Sequence, residues 1–304
     1  MSFRLDGDLH RSEMWTNLRR KLFGNLAFTL AVVVSAAAQP VPAAHSFQID
    51  FLSQGTRVQG KVFPAPGAGL KPTLLMVPGW PGNPEDVTNL GAGLPGLGIN
   101  MVMFNPRGMH ASEGSFSFSN TLADIGAALA WLAREDVRRR FNIDPAKVAL
   151  GGHSFGGGMA MVYAATHPSG PSQILGIAPA DVGDTVNGLL NDPATQASMR
   201  KLLTTPGAVP VRVADFAGTI AQIKADGNPY WLKDAAPLLA DRSILLVGGW
   251  EDVVVTIDQT VLPFYRALKK GGAGDVTFLT YHDGHQFVSV KKQLAFDVSV
   301  WLKR

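Results

Sequence analysis

The stretch KVALGGHSFGGGMAMVYAA, residues 147–165, constrains this chain more than any other. Its apolar start reads as a short strand, its glycines as a tight turn, and its Ala- and Met-rich end as a helix. Within it, Gly152-His153-Ser154-Phe155-Gly156 fits the pattern G-x-S-x-G. In that pattern a sharp strand-to-helix turn lifts a serine hydroxyl to the top of a sheet, where a base reaches it. Side chains flanking such a turn would collide with neighbouring chain, so small residues answer a physical need. The alternative is a glycine-rich helix start beside a packed sheet. A phosphate-binding loop fits worse, because GxxxxGK[ST] is missing.

The rest of the chain reads as strands alternating with helices. Compact apolar runs at 73–77, 99–104, 147–150, 174–177, 243–247 and 276–280 are expected strands. Residues 46–60 alternate weakly and read as one strand, with a second beginning at 61–63. Residues 121–134 form an expected amphipathic helix with Leu122, Ile125, Leu129 and Leu132 on one side, and residues 288–302 a closing helix. This alternation predicts an α/β fold with a mostly parallel central sheet and helices on both faces. The interval between Ile177 and Ser243 is long for a simple crossover. It holds helical patterns near 195–203 and 213–225, so a small helical cap over residues 184–241 is expected. An ordinary crossover with decorated loops is the alternative.

With 304 residues and 46% hydrophobic content, the chain is able to bury one large core. We expect residues 45–304 to form one catalytic domain. The formal charge is +3, and it is +1 once the first 24 residues are set aside. No basic tract with interleaved aromatics occurs in the remainder, which argues against a nucleic-acid partner. Cysteine is absent, excluding disulfides and thiolate metal sites. No cofactor or metal is expected. Residues 1–44 read as an export signal. Arg19, Arg20 and Lys21 precede an apolar run, 22–38, which ends in Ala36-Ala37-Ala38. The expected location is periplasmic or secreted. The alternative is an uncleaved anchor through 22–38, the only membrane contact the sequence suggests.

A serine that attacks a carbonyl needs a histidine to take its proton and an acid to hold that histidine. Seven histidines are available. His10 and His45 lie before or at the edge of the expected mature chain. His153 neighbours the serine but is expected to point away and pack. His167 follows the helix, in a surface or capping position. His110 lies after the NPRG loop, within reach of a cleft. His282 and His285 follow the last strand, and Gly284 makes His285 the better base, with His282 in reserve. Asp252 follows the strand ending near Val247 and suits the chain order serine, acid, histidine. Glu251 and Asp283 remain alternatives for the acid. Backbone donors for the oxyanion are expected from Phe155, after the serine, and from Trp80 in VPGWPGN, since Pro78 and Pro81 lack an N–H. Trp80, His110 and Trp250 are candidate substrate contacts.

Together VPGWPG at 77–82, NPRGMHASEG at 105–114, GHSFGG at 152–157, LLVGGWEDVVV at 245–255 and YHDGHQF at 281–287 resemble the α/β-hydrolase superfamily. The resemblance covers about residues 50–304. The NPRG loop is similar to that of dienelactone-hydrolase-like and prolyl-oligopeptidase-like members. It implies that Ser154, Asp252 and His285 take the triad positions and that Arg107 braces loops. Two departures stand out: Pro78-Gly79 replaces a frequent His-Gly, and Thr256 stands where a proline is common. The implied activity is serine-dependent cleavage of a small carboxylic ester. A peptidase acting on short peptides is the first alternative, which an acidic cluster from Asp181, Asp184 and Asp215 would favour. A non-catalytic binding protein on the same fold is the second.

Overall fold

The computed structural model describes residues 45–304 except 84, 85 and 87. The expected export segment therefore lies outside the described residues. Eight strands form one sheet: β1 (Phe47–Ser53), β2 (Thr56–Phe63), β3 (Lys71–Val77), β4 (Asn100–Phe104), β5 (Ile143–His153), β6 (Gln173–Ile177), β7 (Ser243–Gly249) and β8 (Val276–Tyr281). Their spatial order is β1-β2-β4-β3-β5-β6-β7-β8. The β1–β2 and β2–β4 pairs are antiparallel and all others parallel. The interior strands β3, β4 and β7 are buried almost end to end, as strands covered on both faces must be.

The helices are α1 (Leu90–Gly93), α2 (Phe118–Ala133), α3 (Glu135–Phe141), α4 (Phe155–Thr166), α5 (Val182–Asn191), α6 (Pro193–Thr204), α7 (Phe216–Asp226), α8 (Leu232–Ala235), α9 (Leu262–Lys270) and α10 (Lys291–Leu302). Helices α1 and α10 pack together over one sheet face, while α2, α4 and α9 cover the other. Among the described residues no helix is long and apolar enough to cross a membrane.

Two local expectations are corrected. Residues 46–60 are not one strand: Gln54 and Gly55, both at positive φ (49° and 79°), turn the chain back between β1 and β2. That pair of left-handed residues suits the twist of a two-residue hairpin. The apolar alternation breaks at Ser53–Arg57 and resumes in the opposite phase at Val58, the signature of that turn. Helix α2 buries Phe118, Thr121, Asp124, Ile125, Ala128, Trp131 and Leu132, whereas Leu122 and Leu129 are only half-buried. The stripe is rotated because Asp124 faces inward to meet Arg107. Arg107 Nε donates to Asp124 Oδ1 at 2.6 Å and the Arg107 backbone N–H to Oδ2 at 2.7 Å. The guanidinium also donates to Gln54 Oε1, so one buried cation ties the hairpin turn to α2 and the loop after β4. This is the bracing that the resemblance implied for Arg107.

Candidate active site

Strand β5 ends at His153, α4 begins at Phe155, and Ser154 sits between them at φ 54°, ψ −122°. A non-glycine residue at positive φ is costly and persists only where its surroundings enforce it. Here the Ser154 N–H donates to Ile177 O of β6, and its carbonyl accepts from the N–H groups of Gly158 and Ala180. The surrounding glycines are sterically required. A Cβ on Gly156 would lie 2.1 Å from Val77 O, and one on Gly152 2.2 Å from backbone atoms of Gly156. The backbones of β3, β5 and α4 thus meet with no room for a methyl group.

Asp252 lies just past β7, its side chain fully buried. Its Oδ1 accepts from the N–H groups of Val254 and Val255, both at 2.8 Å. Its Oδ2 accepts from His285 Nδ1 at 2.7 Å. With the Nδ1 proton committed to the carboxylate, the neutral imidazole leaves Nε2 as its basic atom. Ser154 and His285 line the same cavity. No hydrogen bond joins the Ser154 hydroxyl to His285 among the described residues. Such contacts are often long before substrate fills a site and tighten in the complex.

The other acids and histidines take different positions. Glu251 pairs with the exposed His282 at 3.3 Å. Asp283 accepts from the Ser289 N–H and hydroxyl and from the Gly284 and Val290 N–H groups, organising the loop that carries His285. His167 stacks on Tyr163 at the end of α4, ring centroids 3.9 Å apart. His153 does more than fill space. Its Nε2 donates to the His285 carbonyl at 2.8 Å, and the two rings lie 4.7 Å apart. Burial and the neighbouring His285 push its pKa down to about 4, so it is a neutral donor at ordinary pH. The sequence signal was only its adjacency to Ser154; the partner is 132 residues away.

Phe155 is the first residue of α4, where a backbone N–H has no intrahelical acceptor. Trp80 lies in the loop after β3 and lines the cavities on both sides of Ser154. One cavity, of about 350 Å³, also reaches His110, His285 and Gln286. The other, of about 430 Å³, is walled by Phe116, Phe118 and Phe155 and by side chains from α5, α6 and α7. Trp250 corrects an expectation: it lines neither cavity and is 54% exposed, its N–H tied to Tyr281 O at the β8 side of the sheet. Among the described residues, no group of three or more His, Asp or Glu is placed to hold a metal.

A family model described as the alpha/beta hydrolase fold matches residues 72–217. An uncharacterized protein of Mycobacterium tuberculosis, Rv2307c, is 29% identical over 155 residues, 51% of this chain and 52% of the relative. The match thus spans about half the length of that curated relative. Among solved structures, Est1E from Butyrivibrio proteoclasticus superposes with a TM-score of 0.62 at 16% identity, over 84% of this chain and 97% of that one. Acetyl Xylan Esterase 1 from Thermoanaerobacterium sp. does so at 0.58 and 19% identity, over 88% and 86%. The Pyrococcus furiosus esterase Pf2001 reaches 0.61 at 14% identity, over 86% and 92%. The sheet order, the serine turn and the family match over residues 72–217 agree on the α/β-hydrolase fold for this chain.

Proposed function

We propose that the protein is a serine hydrolase that cleaves carboxylic esters through an acyl-enzyme on Ser154. The observation that carries this reading is the bond from His285 to buried Asp252, with the imidazole bordering the cavity that Ser154 also lines. In the reaction His285 Nε2 takes the Ser154 proton as Oγ attacks the ester carbonyl. Asp252 fixes the ring and stabilises its charged form. The backbone N–H groups of Trp80 and Phe155 receive the oxyanion, and one such donor is worth about 3 kcal/mol of transition-state stabilisation. His285 then gives its proton to the departing alcohol, and water releases the acid.

Two solved structures of the same fold carry esterase names, which agrees with this reading. A peptidase that recognises a free peptide amino terminus needs an uncommitted acid beside the serine. Asp181 and Asp215 are instead committed to capping, accepting from the N–H groups of Gly183 and Gly218 at the starts of α5 and α7. Asp184 is exposed on α5. We also read α5 to α7 as a small cap over the site, since they wall the larger cavity.

Ser154→Ala tests the assignment. Turnover of p-nitrophenyl esters is expected to fall by about 10⁴-fold or more, with the unfolding midpoint nearly unchanged. Ester turnover at the wild-type rate would refute it.

A further inference from the structure

The two cavities that meet at Ser154 are not equivalent, and chemistry fixes which end of an ester enters each. Ser154 and Trp80 border both, so a carbonyl held by this serine and this oxyanion donor sits at their junction. His285 and Gln286 border only the 350 Å³ cavity, and Phe155 only the 430 Å³ one. The oxygen of the leaving alcohol must face the imidazole that protonates it. The acyl carbon chain must then run the other way.

The walls differ in stiffness as well. The larger cavity has an aromatic floor. Phe116, Phe118 and Phe155 contact one another with ring centroids 5.5–6.2 Å apart, and Phe118 leans on buried Tyr230 at 5.4 Å. Interlocked rings hold a fixed shape. Of its polar neighbours, Asp184 and Thr185 are exposed, while Asp181, Thr219 and Thr260 are half-buried and the Asp181 carboxylate is turned to the Gly183 N–H at the start of α5. The smaller cavity has buried Met76, Met101 and Met103 among its lining residues. Unbranched thioether side chains adapt to what they touch.

We propose that this enzyme binds its ester in one orientation, the acyl group among the phenylalanines and the alcohol over the methionines. Selection then falls on the acyl group, an apolar one longer than acetyl, while alcohols are accepted broadly. This assignment rests on the serine-hydrolase reading above. In the step it describes, the Oγ–carbon bond forms first to give the oxyanion, whose collapse breaks the carbon–alcohol bond, and the proton taken from Ser154 passes through His285 to the departing alcohol oxygen. The alcohol leaves its cavity and water enters the same space. That water gives a proton to His285 as its oxygen bonds the acyl carbon; the carbon–Oγ bond then breaks, Oγ takes the proton back from His285, and the free acid departs. Size supports the acyl side: the cavity is nearly three times the roughly 150 Å³ that accommodates benzene in an engineered protein core.

Two ester series with wild-type enzyme test this. In the first, p-nitrophenyl esters run from acetyl to octanoyl. In the second, hexanoate esters of methanol, ethanol, butanol and benzyl alcohol are followed by acid release. Each buried methylene is worth up to about fourfold in kcat/KM. We expect a rise of more than about tenfold from acetyl to hexanoyl, and a spread within about fivefold across the alcohols. Ile220→Trp, at a half-buried wall position of the larger cavity, is expected to lower the hexanoyl-to-acetyl ratio by about tenfold or more and to leave the ranking of alcohols unchanged. A steeper dependence on alcohol than on acyl length, or a variant that reorders the alcohols instead, overturns the assignment while leaving the ester reading standing. No turnover in either series overturns both. Should the variant fail to fold, the wild-type slopes decide alone.

Discussion

At Ser154 the protein concentrates backbone strain, three hydrogen bonds to its main chain and the meeting of two cavities in one residue. His153, one position earlier, holds the carbonyl of His285 and so couples the serine turn to the loop that supplies the base. Its pKa, pushed down to about 4 by burial, has a consequence for stability. Between pH 6.5 and 4 the unfolded chain takes up a proton at this histidine and the folded chain does not, so stability falls as pH falls through that window. His153→Gln keeps a neutral N–H donor and removes the titration. Comparing urea unfolding at pH 7 and pH 5, we expect the variant's loss of stability to be smaller than the wild type's by about 2 kcal/mol. Equal losses would mean that His153 titrates normally in the folded state. Residue identities were partly legible in the sequence. Chain order pointed to Asp252, but three acids competed, and only their partners separate them. Glu251 meets His282, Asp283 meets its own loop, and Asp252 meets His285. The His153 bond was illegible because its acceptor is a backbone carbonyl, which leaves no trace in residue type.

At the scale of elements, the junction of β3, β5 and α4 decides whether the serine is presented at all. Gly156→Ala would press a methyl group to 2.1 Å from the Val77 carbonyl, a backbone atom with no freedom to swing aside. We expect this single carbon to cost about 3 kcal/mol or more, read as a lowered unfolding midpoint in urea, because α4 must separate from β3. A variant as stable as wild type would show that the junction is looser than the backbone geometry implies. The strands were the most legible elements, since buried parallel strands write continuous apolar runs. The β1–β2 hairpin escaped because its turn, Gln54-Gly55, carries a weak turn signal and the change of alternation phase across it spans only a few residues. The face of α2 was misjudged for a different reason. A buried Asp124 counts as polar in any hydrophobic pattern, yet its pairing with Arg107 makes it part of the inward stripe.

For the molecule as a whole, the sheet gathers the ends of β3, β5, β7 and β8 so that loops distant in sequence border one reaction space. The loop after β3 carries Trp80, the end of β5 presents Ser154, and the loops after β7 and β8 bring Asp252 against His285. The α/β class and parallel sheet were legible from the alternation of runs. The two-sided cavity was not, because it depends on how α5 to α7 return to the NPRG loop. Phe116 N–H donates to Arg212 O, Arg212 N–H to Gly108 O and His110 N–H to Pro210 O, bonds that no side-chain pattern encodes. N-terminal to the described residues, we propose that residues 1–44 direct export. N-terminal sequencing of the exported protein is expected to begin near Gln39, and an intact Arg19–Ala38 segment would contradict cleavage.

The central claim is that one serine becomes the covalent centre of the reaction. Incubation with a hexyl phosphonate p-nitrophenyl ester, followed by peptide mass mapping, tests it most directly. One adduct per chain is expected, on the peptide containing Ser154, formed in step with loss of esterase activity and blocked in His285→Ala. An inactivated enzyme labelled at another residue, or an active enzyme that retains full turnover with Ser154 modified, would contradict it.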